Sequence, residues 1–288
     1  MAEDHDYTRA VLAYCTYKQP LITRDSCRSI RNTLLRFGRG LGGKPLRSIT
    51  PRDIERFLAT KPAVSTRYTV FSHLKGFFGW CLKEGRTRNN PAVKVEIARR
   101  PKTAPRAIKA ADAGLVLAAT KNTRDRLIVT LMLQLGLRVR EVAAIELGDI
   151  DWERRFTLDV KGKGGRGGVT RTIPVNEATA RAIDAYLYDF PATAGPLIRS
   201  FTTGRGMSTH TLSNYVSEWF KVAGLKVKAR DGRSAHALRH TCATDLVSRG
   251  APVTVVQDLL GHENIATTQI YFRGHTPETR KWLEGREY

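Results

Sequence analysis

Between Asn89 and Arg106 the chain reads NNPAVKVEIARRPKTAPR, with three prolines, five basic residues and no sustained apolar period. Proline removes a backbone donor and biases the residue before it toward extended backbone, so this stretch is expected to be a linker. A chain of 288 residues interrupted there is expected to form two folding units, 1–88 and 107–288, since single cores rarely grow beyond about 250–300 residues. On the N-terminal side, apolar spacing predicts helices over Asp6–Lys18, Arg24–Gly38, Pro51–Ala59 and Ser65–Glu84. Thr50 stands as an N-cap before Pro51, and Gly85 as a C-terminal stop. This half reads as a small all-helical bundle.

The C-terminal side opens with helical patterns at Ala110–Thr120, Asp125–Leu135 and Val139–Ile145, and then the period changes. FTLDVK at 156–161 and VTRTIPV at 169–175 are β-type runs around a glycine-rich GKGGRGG, which predicts a hairpin. Helical patterns return at Glu177–Tyr188, Thr209–Ala223, Ala237–Arg249 and Val253–Leu260, with shorter ones at Thr267–Phe272 and Pro277–Gly285. The fold class expected is mainly α with a small β-sheet.

Charge narrows the partner. Against 27 Asp and Glu the chain carries 48 Lys and Arg, a formal +21, and residues 1–106 alone hold 22 basic and 8 acidic residues, a net +14. Such an excess suits a polyanion, and nucleic acid is the expected partner. A 41% hydrophobic content excludes a disordered chain. The longest apolar run, Leu127–Leu137, is broken by Thr130 and Gln134 and falls short of the ~20 residues of a membrane helix. The acidic start MAEDHDYTRA lacks the basic and apolar regions of a secretory signal, so a cytoplasmic location is expected. Cys15, Cys27, Cys81 and Cys242 show no ligand-like or paired spacing and read as small core residues.

Several residues could carry chemistry. His236 and Arg239 lie at i and i+3 near a predicted helix start, with Ser234 as a plausible N-cap, and two cations there would suit an anion. His236 and His240, at i and i+4, resemble a zinc pair, but the zinc-protease pattern needs Glu where Ala237 stands, so packing histidines are the simpler reading. Arg138 follows Gly136 and Leu137, and Glu141 three residues on could orient a guanidinium. Lys163 sits between Gly162 and Gly164 in the hairpin turn, where small neighbours allow close approach to another backbone; alone it reads as a surface lysine. His262 follows the helix-ending Gly261, and Tyr271 comes nine residues later on a short helix that Thr267 or Thr268 could cap.

The ordered set G-L-R-x-x-E, hairpin G-K-G, H-x-L-R-H, L-G-H and then a tyrosine resembles the tyrosine recombinases, including phage integrases and Xer-type enzymes. The motifs run from Gly136 to Tyr271, and the basic helical half looks like the family's core-binding domain. The resemblance implies a site-specific recombinase that cuts and rejoins DNA through a 3′-phosphotyrosine. Tyr271 would be the nucleophile, Arg138 and Arg239 the phosphate clamp, and His262 a further donor. Lys163 would be the general acid, His236 an acid/base partner and Glu141 a supporting residue. No metal, ATP or other cofactor is expected. The two domains are expected to clamp duplex DNA, four copies to assemble on it, and the stretch Pro277–Tyr288, with Trp282 and Leu283, to dock on a neighbouring copy. The additional N-terminal domain of many temperate-phage integrases is not expected. A type IB topoisomerase or hairpin-forming resolvase would use a similar pocket, and a DNA-binding accessory protein would need none; the complete residue set disfavours the last.

Overall fold

A computed structural model of the protein describes residues 3–98, 107–153, 157–162, 170–228, 231–262 and 265–272. The chain divides into two compact units, Met1–Thr103 and Ala104–Tyr288.

In the first unit four helices, α1 (Glu3–Lys18), α2 (Arg24–Arg39), α3 (Pro51–Ala59) and α4 (Val64–Lys83), enclose a core rich in aromatic rings. Thr50 and Asp53 close the start of α3, the carboxylate accepting from the Thr50 N–H and hydroxyl at 2.8 Å each. Gly85 adopts φ +66 just beyond α4, the left-handed conformation that suits glycine at a helix end. Tyr7, Phe37, Phe77 and Phe78 meet edge to face, and the Tyr7 hydroxyl donates to the Leu34 carbonyl at 3.0 Å.

Within the stretch 89–106, residues 90–95 are built into the first unit. Asn90 caps a 3-10 turn at Pro91–Lys94 by accepting from the Ala92 N–H, and Ala92 and Val95 enter the first core. Pro91 stands at the first position of that turn, where a missing N–H costs nothing. The prolines Pro101 and Pro105 lie outside the described residues.

The second unit contains α5 (Ala110–Ala118), α6 (Thr123–Gln134), α7 (Val139–Ala144), strands β1 (Ile150–Asp151), β2 (Thr157–Lys161) and β3 (Thr170–Pro174), then α8 (Glu177–Asp189), α9 (Thr209–Val222), α10 (Ala235–Ser248), α11 (Val253–Leu260) and α12 (Ile265–Phe272). The predicted hairpin is an antiparallel pair with Leu158 opposite Ile173 and Val160 opposite Arg171, and β1 adds a third strand on the β2 side. Leu158, Val160 and Ile173 face the core. Helix α6 is buried nearly all round through Leu127, Ile128, Val129, Leu131 and Met132, and packs against α8 and α10. Asn122 caps α6 by accepting from the Asp125 N–H at 2.9 Å, so the helix starts two residues before the predicted Asp125. Likewise α10 starts at Ala235; Ser234 occupies its N-cap position but makes no side-chain cap bond. Lys163 and the stretch Pro277–Tyr288 lie outside the described residues.

Candidate active site

Gly136 turns the chain out of α6 at φ +61. A Cβ there would stand 2.7 Å from Leu260 Cδ2 and 3.2 Å from Cys242 Sγ, so the close approach of α6, α10 and α11 needs a glycine. Two residues later Arg138 caps the start of α7, and Glu141 folds back to accept from the Arg138 backbone N–H and from its Nη1, each at 2.8 Å.

Glu141 is 6% exposed and serves more than one arginine. Arg171 on β3 donates Nη1 and Nη2 to its two oxygens at 3.0 and 3.1 Å, and Arg239 on α10 brings Nη1 within 3.6 Å. Burial would raise the Glu141 carboxyl, but the hydrogen bonds from Arg171 and from the Arg138 backbone, with the Arg171 and Arg239 charges, hold it below its ordinary value. One carboxylate thus orients three guanidinium groups and leaves the cluster positive.

The same arginines are held from the other side by the end of α11. Arg171 Nε donates to the Leu259 carbonyl at 2.9 Å, Arg239 Nη2 to the Leu260 carbonyl at 2.5 Å, and Arg138 Nη2 to the Gly261 carbonyl at 3.4 Å. The last carbonyls of a helix lack partners within it and carry its negative end, so cations are stabilised there. Arg239 also donates Nη1 to the Gly136 carbonyl at 2.5 Å and is 4% exposed. Burial and then Arg138 lower its pKa to about 10, which leaves it cationic at neutral pH.

Gly261 ends α11 at φ +59, and His262 follows. The His262 Nδ1 lies 2.8 Å from the Thr268 hydroxyl. Thr268 therefore does not cap α12 as expected; it lies inside the helix, which begins at Ile265. Burial, then Arg239 and Arg138, push His262 down to about 4, so its ring is neutral.

Tyr271, on α12, packs with Ala243, Val247, Val256 and Leu260 and is 4% exposed. Its ring lies nearly parallel to that of His262, at 7° and 6.5 Å between centroids. The phenol oxygen is 2.5 Å from His240 Nδ1. Burial raises the Tyr271 pKa, while the Arg239 and Arg138 charges oppose that rise. His236 is exposed as a residue, yet partial desolvation of the ring, then Arg239 and Arg138, hold its pKa below the usual value.

Of the residues singled out in the sequence, Arg138, Glu141, Arg239, His262 and Tyr271 come together in one pocket, with His236 close enough to sense its charges. The sequence reading missed Arg171 and underrated His240. For Arg171 a signal existed: opposite Val160 and two residues before Ile173, it occupies an inward strand position, where a charge must find a partner. His240 gave none, because its partner is 31 residues away in sequence.

The model of the phage integrase family matches residues 100–276. The chain belongs to the phage integrase family of tyrosine recombinases. Its relatives include the tyrosine recombinase XerA of Pyrococcus horikoshii, 31% identical over 243 residues that make up 82% of this chain and 80% of the relative. The tyrosine recombinase XerC of Mycobacterium tuberculosis is 32% identical over 250 residues, 80% of each chain. Among solved structures, the lambda integrase dimer bound to a COC′ core site shares the fold with a TM-score of 0.77 at 21% identity, over 97% of this recombinase and 78% of that chain. XerH bound to its difH substrate does so with a TM-score of 0.73 at 20% identity, over 97% and 85%. No described helix of the recombinase is long and apolar enough to cross a membrane.

Proposed function

We propose that this tyrosine recombinase cuts and rejoins double-stranded DNA at specific sites with Tyr271 as its nucleophile. The observation that carries this assignment is that Tyr271 packs with Leu260, whose carbonyl accepts from Arg239 next to the Gly261 carbonyl that holds Arg138, so that the charges of both arginines act on its phenol. Phenol oxygen attacks the scissile phosphorus, the O–P bond to tyrosine forms, the bond to the 5′ oxygen breaks, and that oxygen takes up a proton. One phosphodiester replaces another, so the energy of the broken bond is retained and no ATP is needed.

Negative charge grows on the non-bridging oxygens during attack, and guanidinium forks fixed in advance stabilise it. Glu141 and the carbonyls of α11 do that fixing for Arg138 and Arg239. His262, neutral and with Nδ1 facing Thr268, can carry its proton on Nε2 and present it to the phosphate. Lys163 supplies the proton for the leaving 5′ oxygen, and His236 serves as an acid/base partner at the rim. The basic residues of 1–106 bind the duplex backbone, with affinity falling by a log–log slope of about 0.9 per neutralised phosphate as salt rises. Strand exchange needs four active sites, and the lambda integrase tetramer bound to a Holliday junction, which shares this fold with a TM-score of 0.77, supports a tetramer on DNA. The reaction takes place where the genome is, in the cytoplasm.

A nicked suicide duplex carrying the recombinase's own site tests the reading. The wild-type protein should give a slow covalent band on a denaturing gel, and Tyr271→Phe should give none. A band that survives that substitution refutes the assignment of Tyr271.

A further inference from the structure

Attack by a phenol requires that its proton leave, and among the described contacts of the Tyr271 hydroxyl the shortest is 2.5 Å to His240 Nδ1. We infer that His240 is the general base of the cleavage step, taking the proton from Tyr271 onto Nδ1 as the phenol oxygen attacks phosphorus, and returning it when the strand is rejoined. The inference rests on the proposed role of Tyr271 and adds a catalytic residue to it.

Two observations support the transfer. Burial keeps the free phenol protonated, so the hydroxyl is the donor and the imidazole nitrogen the acceptor. The titratable and charged groups near His240 include Arg239 beside it on α10, His262 at the end of α11 and Tyr271 facing it from α12. His240 is also fixed by the fold, because α10 packs against α6, α11 and α12, and the His240 ring lies 5.5 Å from the Tyr271 ring, centroid to centroid. His236, one turn earlier on α10, is exposed, whereas His240 is half-buried on the nucleophile. The proton balance closes within the pocket. Tyr271 loses a proton to His240, the 5′ oxygen gains one from the acid on its own side, and rejoining reverses both transfers.

The test uses a suicide duplex whose bridging 5′ oxygen is replaced by sulfur, a leaving group that needs no proton, so that the rate reports the nucleophile's side alone. His240→Asn retains a hydrogen-bonding atom near the position of Nδ1 but cannot accept a proton. Its cleavage rate near neutral pH should fall about 10²–10⁴-fold. That rate should then climb about tenfold per pH unit toward the pKa of the phenol, ordinarily about 10, as tyrosinate forms without help. The wild type should be flat over the same range. Gel shift on the intact site confirms that the variant is folded and binds, and His240→Gln is the alternative if it does not.

A variant as fast as wild type, or one slowed by the same factor at every pH, overturns the proposal, the second because it marks a residue that only holds Tyr271 in place. If His236→Asn shows the pH-dependent slope and His240→Asn does not, the base is His236. Failure of the wild type to form any covalent product would instead refute the role of Tyr271, a distinguishable result.

Discussion

Arg171 and Glu141 form a two-pronged ion pair, Nη1 and Nη2 on the two carboxylate oxygens at 3.0 and 3.1 Å, between a strand and the helix that carries Arg138. The pair does more than neutralise a buried carboxylate. Arg171 is also tied through Nε to the Leu259 carbonyl, so the hairpin, α7 and the end of α11 meet on one side chain. Both arginines proposed to hold the phosphate depend on Glu141 for their orientation. Arg171 fixes Glu141 and is 14% exposed, while Arg138, at 34%, is the more open to the phosphate proposed to bind there.

Replacing Arg171 should therefore damage stability and geometry together. Removing one partner of a buried pair costs about 3–5 kcal/mol because the other charge is left stranded. Arg171→Ala should lose an amount of that order in denaturant unfolding. Arg171→Lys retains the charge but cannot reach both oxygens, and should recover part of the stability while cleavage stays impaired. Equal cleavage by Arg171→Lys and wild type would show that the two-pronged geometry is not needed.

Gly261 makes a second, steric prediction. Its φ of +59 already disfavours any side chain, by about 1–2 kcal/mol, and an added Cβ would stand 2.9 Å from Arg171 Nη1. Gly261→Ala should lower the unfolding midpoint and also slow cleavage, since Arg171 must move off Glu141. Gly224, at φ +71 with open space around it, is the control: alanine there should carry the backbone cost alone and leave cleavage unchanged.

Arg138→Ala and Arg239→Ala separate catalysis from binding. Loss of one donor to the charge that develops in attack costs about 10²–10³ in rate. Affinity for the duplex is spread over many phosphate contacts, so a gel shift should change little. A shift that weakens in step with cleavage would show that these arginines are general DNA contacts.

The sequence carried the element types well because they rest on local pattern. Period 3.6 marked α2, α3 and α9, and the change to alternation around 162–168 marked β2 and β3. It also singled out Arg138, Arg239, His262 and Tyr271, through their order along the chain, and the fold brings these four together. Two things escaped it. The packing of Ala92 and Val95 into the first core depends on a cap by Asn90 that a proline-rich composition conceals. Contacts such as Arg171 with Leu259, 88 residues apart, or His240 with Tyr271, are set by how α10, α11 and the hairpin pack, and no local spacing encodes them.

His262 ties the pocket to pH. Its folded pKa of about 4 lies below the ordinary value of about 6.5, so between these values the unfolded chain binds a proton that the folded protein does not. Stability is therefore full above about pH 6.5 and falls as the pH drops toward about 4. His73 and His236, also held low, add to that slope, and Glu141 adds its own loss only at lower pH, as its carboxylate is protonated. His262→Asn should flatten part of the decline in stability between about pH 6.5 and 4. A DNA phosphate offsets the arginine charges that depress the ring, so the His262 resonances should titrate at higher pH in the DNA complex than in the free protein. An unchanged midpoint on binding DNA would mean that the phosphate does not sit against His262.

Tyr271 reaches the arginine pocket of its own chain. Helix α12 packs on α10 and α11, and the tyrosine ring is buried among Ala243, Val247, Val256 and Leu260 of those two helices. If Tyr271 is the nucleophile proposed above, this seat directs it to the phosphate proposed to lie on its own Arg138 and Arg239. A mixture of Tyr271→Phe and Arg239→Ala proteins gives every protomer one defect, so no half-site on the suicide duplex meets a complete pocket. The mixture should then remain as inactive as either variant alone. If tyrosines were instead exchanged between neighbours, a protomer of the Tyr271→Phe variant, its arginines intact, could receive the nucleophile of an Arg239→Ala neighbour, and covalent product would reappear on a two-site duplex. Labelling the two variants with tags of different size identifies which chain carries the DNA. Recovery of product on the Arg239→Ala chain would show that the cis placement of Tyr271 is not the one used in the DNA-bound assembly.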